Sequence, residues 1–251
     1  MKKVAIIPSR YESTRFRGKP LALIKGKPMI QWVYERIKKT DVELSDIIVA
    51  TDDERIFDAV LKFKGHAMIT SAQNPSGTDR VAEAAAKLGL KKNDIVINVQ
   101  GDQPVFDPRC IDDLVRPFFI EQNIQMSTLA YCIINEDEIK NQKDVKVVFD
   151  TNGFALYFSR SPIPFGRNPS FEFETYKHLG FYAYTADFLE KFQSLNEGRL
   201  ENIEKLEQLR ALEYGYKIKV VVTQYDSPEV DLPEDIEKIE MMLSSKKKDV
   251  T

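Results

Sequence analysis

The spacing of apolar and polar positions changes about halfway along the chain. In the first half, short apolar runs at 4–8 and 95–100 alternate with segments whose apolar residues recur every three or four positions, as at 27–39 and in the alanine-rich 78–88. Nearly continuous apolar runs are typical of strands buried on both faces, and the longer spacing is typical of amphipathic helices. Further strands are predicted at 46–52 and 67–70, and a further helix at 53–64. The alternation predicts an α/β fold, a mostly parallel sheet with flanking helices.

After about residue 122 the pattern indicates a smaller antiparallel lobe. Strand-like segments follow at 126–134, 145–150, 154–160 and 178–185. Asp150-Thr151-Asn152-Gly153 is typical of a hairpin turn between two of them. Helical spacing returns at 186–195, 203–214 and 233–243, with one more strand at 217–223. We predict a single domain over 1–251, with an antiparallel excursion at about 123–185 and a frayed lysine-rich end at 246–248.

Composition narrows the class of protein. The chain has 251 residues, of which 43% are hydrophobic and 30% charged, so a sizeable core is expected. The net charge of -3 argues against a general attraction to nucleic acid. Cys110 and Cys132 are too few for a disulfide framework or a CxxC metal site. No signal-peptide pattern and no apolar run near the ~20 residues of a membrane span are present, so a cytoplasmic protein without a membrane partner is expected.

A basic segment follows the first predicted strand. Residues 8–20, PSRYESTRFRGKP, bring Arg10, Arg15, Arg17 and Lys19 together. At the carboxyl end of a strand, backbone N–H groups, hydroxyls and cations suit an oligophosphate. The segment matches neither the Walker A pattern nor GxGxxG. Its charge alone fits a solvated basic loop equally well.

Two acidic motifs stand at the ends of predicted elements. Asp102, in QGDQP, follows the 95–100 strand, where open α/β sheets bind ligands. Asp231, in EVDLPED, precedes a helix that begins near Pro233. Two such carboxylates can hold Mg²⁺ together with phosphate oxygens. Each also has a plainer interpretation, Asp102 as the cap of a turn and Asp231 as an N-cap.

Three other motifs carry polar side chains of interest. In NPSGTDR at 74–80, Thr78 or Asp79 starts a helix, and the loop with Arg80 can face a base or a ribose, although helix capping explains it equally well. In YKHLGFYAY, alternation places His178 and Tyr182 on one side of a strand, where a lone histidine is more often structural. The predicted buried stripe of the 203–214 helix is Ile203, Leu206 and Leu209. The polar residues left for solvent or a ligand are Glu207, Gln208 and Arg210.

Together these segments resemble the 3-deoxy-manno-octulosonate (Kdo) cytidylyltransferases. The matching segments, in the family's order, are IIPSRYESTRFRGKPL, VATDDERI, PSGTDRVAEA, INVQGDQP, FALYFSRSPIPF, YKHLGFYAY, EKLEQLRALEYG and EVDLPEDIEKIE. Eight motifs in one order are far more specific than any one of them. The resemblance implies a GT-A-like nucleotidyltransferase fold, usually homodimeric. It also implies a reaction of CTP with Kdo that gives CMP-Kdo and pyrophosphate for lipopolysaccharide assembly.

The resemblance further implies roles for individual residues. The implied nucleotide-binding residues are Pro8, Ser9, Arg10, Arg15, Lys19, Ser76, Gly77 and Arg80. Lys19, Asp102 and Asp231 are implied to be catalytic, the two aspartates as ligands of Mg²⁺. The implied sugar-side residues are Gln100, Arg160, His178, Tyr182, Glu207 and Gln208, with Arg160 pairing with the sugar carboxylate. No general base is obvious in the sequence.

Some positions depart from the commonest family pattern, and they keep alternatives open. Ser9 stands for a usual Ala, Arg17 for a usual Pro, and Gln103 for a usual Glu. Gln103 and the C-terminal segments look more like a subgroup that uses 8-amino-3,8-dideoxy-manno-octulosonate. A sialic-acid-type or sugar-1-phosphate nucleotidyltransferase would keep the basic segment but change the acceptor pocket. A non-catalytic nucleotide-binding protein would be expected to lose a metal carboxylate.

Overall fold

The computed structural model describes residues 1–13, 15–168, 170 and 172–245, so the predicted frayed end at 246–248 lies outside the described residues. The strands are β1 (Lys3–Ser9), β2 (Leu23–Ile24), β3 (Lys27–Pro28), β4 (Asp46–Thr51), β5 (His66–Ile69), β6 (Ile95–Asn98), β7 (Met126–Cys132), β8 (Lys146–Phe149), β9 (Ala155–Ser159), β10 (Tyr176–Thr185) and β11 (Lys219–Thr223). The helices are α1 (Met29–Ile37), α2 (Glu54–Lys62), α3 (Gly77–Lys87), α4 (Arg109–Val115), α5 (Pro117–Ile120), α6 (Glu136–Lys140), α7 (Ala186–Ser194), α8 (Arg199–Glu204), α9 (Leu209–Glu213) and α10 (Asp235–Ser245), with a 3₁₀ turn at Lys19–Leu21.

The strands build a mixed, mostly parallel sheet, as the sequence predicts. Its main path has the order β11-β7-β10-β6-β1-β4-β5. β1 is parallel to β4 and β6, β4 to β5, and β11 to β7, whereas β10 runs antiparallel between β6 and β7. The predicted hairpin forms β8 and β9, which extend from the start of β10, and β2 pairs with β3 in a separate small sheet. Gly153 closes the hairpin turn with a φ of 76°.

The central residues of β1 pack alternately on two opposite cores. Val4 and Ile6 belong to a cluster on the face covered by α3 and α7. Ala5 and Ile7 belong to a cluster on the other face, with residues of α1, α2 and α4. This burial on both faces explains the nearly continuous apolar run. β1 ends at Ser9, so the basic segment begins at the carboxyl edge of the sheet.

A gap between β6 and β8 lies along one edge of β10. β6 pairs with residues 182–185 of β10, whereas β8 pairs with residues 176–177. Between them, the register against β7 shifts between His178 and Tyr182, and Gly180 has a φ of 72°. Glycine tolerates this left-handed conformation without a Cβ penalty. The resulting bulge lies beside the carboxyl end of β6.

Two helix predictions are wrong in detail. α3 begins at Gly77, earlier than the predicted start at Thr78 or Asp79, because Ser76 is its N-cap and accepts from the Asp79 N–H. The predicted 203–214 helix is two short helices: α8 already begins at Arg199, where the Glu201 side chain accepts from the Gly198 N–H at 3.0 Å, and the left-handed Lys205 ends it. Because α8 begins earlier than predicted, Ile203 lies on its outer face and is 65% exposed, so it is not part of the predicted buried stripe.

A buried ion pair joins the two short helices. Arg210 Nη2 lies 2.6 Å from Glu201 Oε1, and both side chains are buried. Arg210 was left for solvent or a ligand by the sequence pattern, and the structure corrects this. None of the helices in the described part of the chain has the length and apolar character needed to cross a bilayer.

Candidate active site

A pocket of about 250 Å³ opens at the carboxyl ends of β1 and β6. Its lining residues are Pro8, Ser9, Arg10, Ser13, Arg15, Lys19, Pro20, Asn74, Ser76, Gly77, Arg80, Gln100, Gly101 and Asp102. The two strands are parallel neighbours, so the segments that follow them meet at one edge of the sheet. The structure therefore brings together every residue predicted to bind the nucleotide, with Gln100 and Asp102 among them. Their individual roles stay predictions.

The two segments approach each other closely because Gly101 has no side chain. A Cβ at Gly101 would lie 2.9 Å from Ser9 Oγ and 3.3 Å from the Pro8 carbonyl oxygen. Ser9 is 5% exposed, and its hydroxyl has no hydrogen-bond partner within the described part of the chain. A buried hydroxyl at a pocket wall without a partner is suited to bind a ligand there.

The basic segment points three cations at the pocket. Lys19 Nζ lies 2.6 Å from Asp102 Oδ2 and donates to the Val230 carbonyl at 3.0 Å. Arg15 Nη2 lies 2.9 Å from Asp231 Oδ1. Arg10 is exposed and forms no ion pair with any described residue. The segment thus presents positive charge that a polyanion can reach.

Arg17 differs from these three cations. Its guanidinium pairs with Glu12 at 2.8 Å, and it does not line the pocket. The loop is closed at Gly18, whose N–H donates to the Tyr11 carbonyl at 2.8 Å and whose φ is 71°. Arg17 can therefore serve as a control for substitutions of the other cations in the same segment.

The second acidic motif runs alongside the first. The Val230 N–H donates to the Asp102 carbonyl at 3.0 Å, which places Asp231 at the same cleft. The interpretation of Asp231 as an N-cap is not borne out, because Asp235 accepts from the N–H groups of Asp231 and Leu232. The Asp231 carboxylate faces Arg15 instead, with Lys143 Nζ 3.9 Å away. Sequence patterns gave no signal for Lys143.

The donor set fits Mg²⁺ held jointly with a nucleotide. Asp102 and Asp231 supply hard carboxylate oxygens at one cleft, and Mg²⁺ is usually bound by one or two carboxylates plus substrate phosphates. Among the described residues, no group of three or more His, Cys, Asp or Glu forms a complete protein cage for a metal. The two aspartates could therefore hold such an ion only with ligands from outside the protein.

A third carboxylate, Glu229, lies in the same cleft and was missed as a site residue. The Glu229 residue is exposed to solvent, although many protein atoms lie around its carboxylate. Gln103 Nε2 donates to Glu229 Oε1 at 2.9 Å and to the Leu179 carbonyl at 2.7 Å. Enclosure by protein, then the charges of Asp102 and Asp231, raise the pKa of Glu229, while the Gln103 bond and Lys19 lower it. The position of Glu229 in EVD was the only sequence signal.

The loop at the start of α3 is tied to the α8–α9 junction. Glu207 accepts from Ser76 Oγ and from Thr78 Oγ1, each at 2.8 Å. Burial raises the pKa of Glu207, and these two hydrogen bonds oppose the rise. Arg80 lines the pocket, but its guanidinium is committed to Thr70 and Asp52. The charge of Arg80 is thus balanced inside the protein.

The structure does not place Arg160, His178, Tyr182, Glu207 or Gln208 in the lining of this pocket. The Arg160 guanidinium donates to the carbonyls of Glu204, Gln142 and Lys205. Gln208 is buried, and its Nε2 has no hydrogen-bond partner in the described chain. Gln100 connects the two regions, since it lines the pocket and its Nε2 lies 3.5 Å from the Gly180 carbonyl.

His178 belongs to an aromatic row on β10. Its Nε2 lies 2.8 Å from Thr128 Oγ1, and its ring contacts Phe158 and Tyr182. Burial lowers the pKa of His178 to about 3. The imidazole is therefore neutral near pH 7 and offers a hydrogen bond, not a charge.

Residues 4–218 match the protein-family model described as Cytidylyltransferase. The chain belongs to this family. It is 63% identical over 243 residues, 97% of this chain and 99% of the other, to a 3-deoxy-manno-octulosonate cytidylyltransferase of Desulfatibacillum aliphaticivorans. It is 54% identical, over 97% and 99% of the two chains, to an 8-amino-3,8-dideoxy-manno-octulosonate cytidylyltransferase of Shewanella amazonensis.

The fold also matches a solved cytidylyltransferase. The structure of a CMP:2-keto-3-deoxy-manno-octonic acid synthetase complexed with CTP is 40% identical, with a TM-score of 0.91, and covers 98% of this chain and 100% of its own. The resemblance found in the sequence is thereby confirmed. The family model ends at residue 218, before Glu229 and Asp231, so the geometry of the cleft is what links these two residues to the cytidylyltransferase site.

Proposed function

We propose that this cytidylyltransferase transfers the cytidylyl group of CTP to Kdo and releases pyrophosphate. The observation that carries the proposal is the pocket in which Arg10, Arg15 and Lys19 converge beside Asp102. It occurs in a chain that is 63% identical to a relative named for this reaction. The product, CMP-Kdo, would supply lipopolysaccharide assembly.

The reaction needs positioning and charge stabilisation more than covalent chemistry by the protein. The anomeric hydroxyl of Kdo attacks the α-phosphorus of CTP, and the bond to the pyrophosphate oxygen breaks. Arg10, Arg15 and Lys19 hold the triphosphate and offset the charge that moves onto the leaving group. The partnerless hydroxyl of Ser9 supports a phosphate contact at the same wall. The loop at Ser76 and Gly77 faces the cytosine.

Asp102 and Asp231 would hold Mg²⁺ in this proposal. When bound, the ion supplies positive charge to phosphate oxygens and helps to align them. In the structure Lys19 faces Asp102 and Arg15 faces Asp231, so both aspartates are already directed at positive charge. Each of these two cations can exchange its aspartate for a phosphate oxygen when the nucleotide enters.

The sugar side is proposed to include Gln100, Arg160, His178, Tyr182, Glu207 and Gln208. The free Nε2 of Gln208 and the position of Gln100 between the pocket and β10 support this. Arg160 can pair with the sugar carboxylate only by giving up one of its three carbonyl partners. The neutral His178 would donate or accept a hydrogen bond there.

The amino sugar is the second candidate acceptor. Gln103 and the relative from Shewanella amazonensis favour it, whereas the higher identity to the Kdo relative favours Kdo. An 8-amino group is cationic and an 8-hydroxyl is neutral, so a pocket built for one should discriminate against the other. The acceptor preference is therefore measurable as unequal kcat/KM.

One assay tests the proposal. The purified protein is incubated with CTP, Mg²⁺ and, separately, Kdo, its 8-amino analogue, sialic acid or a sugar 1-phosphate, and pyrophosphate release and the CMP-sugar are quantified. We expect the highest kcat/KM with Kdo. A preference for the amino sugar would select the second candidate. Turnover only with sialic acid or a sugar 1-phosphate would overturn the acceptor assignment, and CTP binding without any turnover would favour a non-catalytic protein.

We also propose a cytoplasmic homodimer, as the family resemblance implies. Large exposed apolar side chains occur in and around the antiparallel excursion: Ile134, Leu156, Phe165 and Phe173. Exposed large apolar side chains are candidates for protein contacts. Sedimentation velocity on the wild type and on Phe165→Asp tests this, since a dimer through this region should weaken in the variant. A wild-type monomer at micromolar concentration would contradict it.

A further inference from the structure

The Glu229 carboxylate lies in the cleft beside Asp102 and Asp231 but, unlike those two, forms no ion pair with a cation of the described chain. Asp102 pairs with Lys19 and Asp231 with Arg15, whereas no ion pair forms with Glu229 in the described residues. Its hydrogen-bond partner is the amide of Gln103, a neutral donor. A carboxylate kept beside two others without its own cation has acceptor capacity left for a ligand.

Gln103 fixes where this carboxylate points. Gln103 is fully buried, and its two amide hydrogens are shared between Glu229 Oε1 and the Leu179 carbonyl. Its Oε1 has no hydrogen-bond partner among the described residues. If the Gln103 amide rotated away from Glu229, the Leu179 carbonyl would also lose its hydrogen bond. This ties Glu229 to the bulge of β10.

Glu229 lies between the reacting end of the pocket and the sugar-side strand. The N–H of the next residue, Val230, donates to the Asp102 carbonyl at 3.0 Å, and Gln103 joins Glu229 to the Leu179 carbonyl of β10. A Cβ added at Gly180 would lie 3.7 Å from Glu229 Oε1, which is ordinary van der Waals contact, so the carboxylate lies against the bulge of β10. Glu229 is exposed, so a bound molecule can reach its carboxylate from the solvent side.

We propose that Glu229 is a specificity-determining contact for the acceptor, and that its carboxylate accepts a hydrogen bond from a hydroxyl of the sugar acid. This inference rests on the proposed function. The negative charge of Glu229 repels the acceptor's own carboxylate and the phosphates of CTP. The hydroxyl-bearing part of the acceptor therefore lies next to Glu229. Gln103 acts as the positioning residue that holds Glu229 in place.

Glu229→Gln separates the charge from the local structure. The amide carbonyl of the variant still accepts from Gln103, while the negative charge is lost. With saturating Mg²⁺ and CTP, the acceptor KM should rise about 10- to 100-fold, the range expected when a hydrogen bond to a charged group is lost. The KM for CTP and the melting temperature should stay within about twofold and a few degrees of the wild type. Glu234→Gln, an exposed neighbour on the same segment, is the matched control.

The outcomes separate this inference from the proposed function. Wild-type turnover with Kdo, combined with an unchanged acceptor KM in Glu229→Gln, would overturn the inference alone. An equal rise in the KM for CTP would assign Glu229 a role in nucleotide binding and would overturn the inference. A lower melting temperature without a change in acceptor KM would assign it a structural role and would also overturn the inference. An effect confined to the 8-amino acceptor would replace the hydroxyl contact with an ammonium contact. A wild type inactive with every acceptor would overturn both proposals.

Discussion

The predicted nucleotide side and the predicted sugar side of this site are built in different ways. On the nucleotide side, Arg10, Arg15 and Lys19 reach into an open pocket, and none of them is buried. On the sugar side, Arg160 and Glu207 already satisfy their hydrogen-bonding groups with other parts of the protein. One side is prearranged for a polyanion, and the other is held together by the groups predicted to bind the sugar.

The difference has an energetic consequence. A ligand bond that replaces an existing protein bond adds less net free energy than a bond to a partnerless group. Lys19 and Arg15 differ from the sugar-side groups because the aspartates that they would leave, Asp102 and Asp231, could be taken over by Mg²⁺. Specificity on the sugar side should therefore come from the few groups with spare capacity, Gln208 Nε2 and the Glu229 carboxylate. The committed residues there should act mainly by fixing the shape of the cleft.

Asp102→Asn should produce the largest effect, because it removes the charge of a proposed Mg²⁺ ligand. We expect kcat to fall about 100-fold or more, since a metal contributes several kcal/mol to such a transition state. Steady-state kinetics at saturating Mg²⁺ measure the fall. Asp58→Asn on the exposed face of α2 is the control and should match the wild type. Near-normal turnover in Asp102→Asn would remove Asp102 from the metal site.

Lys19→Ala tests the open, cationic nature of the nucleotide side. Losing a charged hydrogen bond to phosphate should weaken CTP binding by about 1–3 kcal/mol, which is roughly 5- to 150-fold in the dissociation constant. Calorimetry with CTP and Mg²⁺ gives this value. The matched control is Arg17→Ala, because Arg17 is in the same segment but pairs with Glu12 away from the pocket. Equal losses in both variants would mean that general charge, not position, binds CTP.

The same contrast explains how far the sequence could predict the site. Arg10, Lys19 and Asp102 follow apolar strands, and parallel strands bring their carboxyl ends to one edge of the sheet, so sequence patterns could predict that these residues lie together, while their roles rested on the family resemblance. On the sugar side the relevant contacts join distant parts of the chain. Gln103 and Glu229 are 126 residues apart, and no periodicity encodes their hydrogen bond.

Local helix geometry limited the remaining predictions. The helical spacing at 203–214 was real, but the left-handed backbone at Lys205, with a φ of 53°, restarts the helix in a new frame. This turn decides that Glu207 faces the α3 loop and that Arg210 is buried against Glu201. Sequence spacing cannot foresee a break that depends on a left-handed lysine.

Glu207→Ala tests whether the Glu207 carboxylate, predicted to contact the sugar, also affects CTP binding. The variant releases Ser76 and Thr78 from the α8–α9 junction, so the CTP dissociation constant should rise about 2- to 10-fold, as for one net hydrogen bond. The acceptor KM should change less. Glu197→Ala, exposed before α8, is the control for calorimetry and kinetics. A large rise in acceptor KM with unchanged CTP affinity would instead make Glu207 a direct sugar contact.

His178→Gln should have the smallest effect and should appear in the pH dependence of stability. Burial lowers the folded-state pKa of His178 to about 3, below the value of about 6.5 in an unfolded chain. Between these two values the unfolded chain binds a proton that the folded chain does not, so this part of the stability is lost as the pH falls from about 6.5. The variant should therefore lose less stability than the wild type between pH 7.5 and pH 5 in urea denaturation.

The second histidine supplies the control for this measurement. His66 is exposed on β5, so His66→Gln should retain the acid-induced loss that His178 causes. If His178→Gln and the wild type lose equal stability, the imidazole must take up its proton in the folded protein as readily as in the unfolded chain. His178 would then face the solvent of the cleft, and it would belong with the ligand-accessible groups of the sugar side instead of its internal supports.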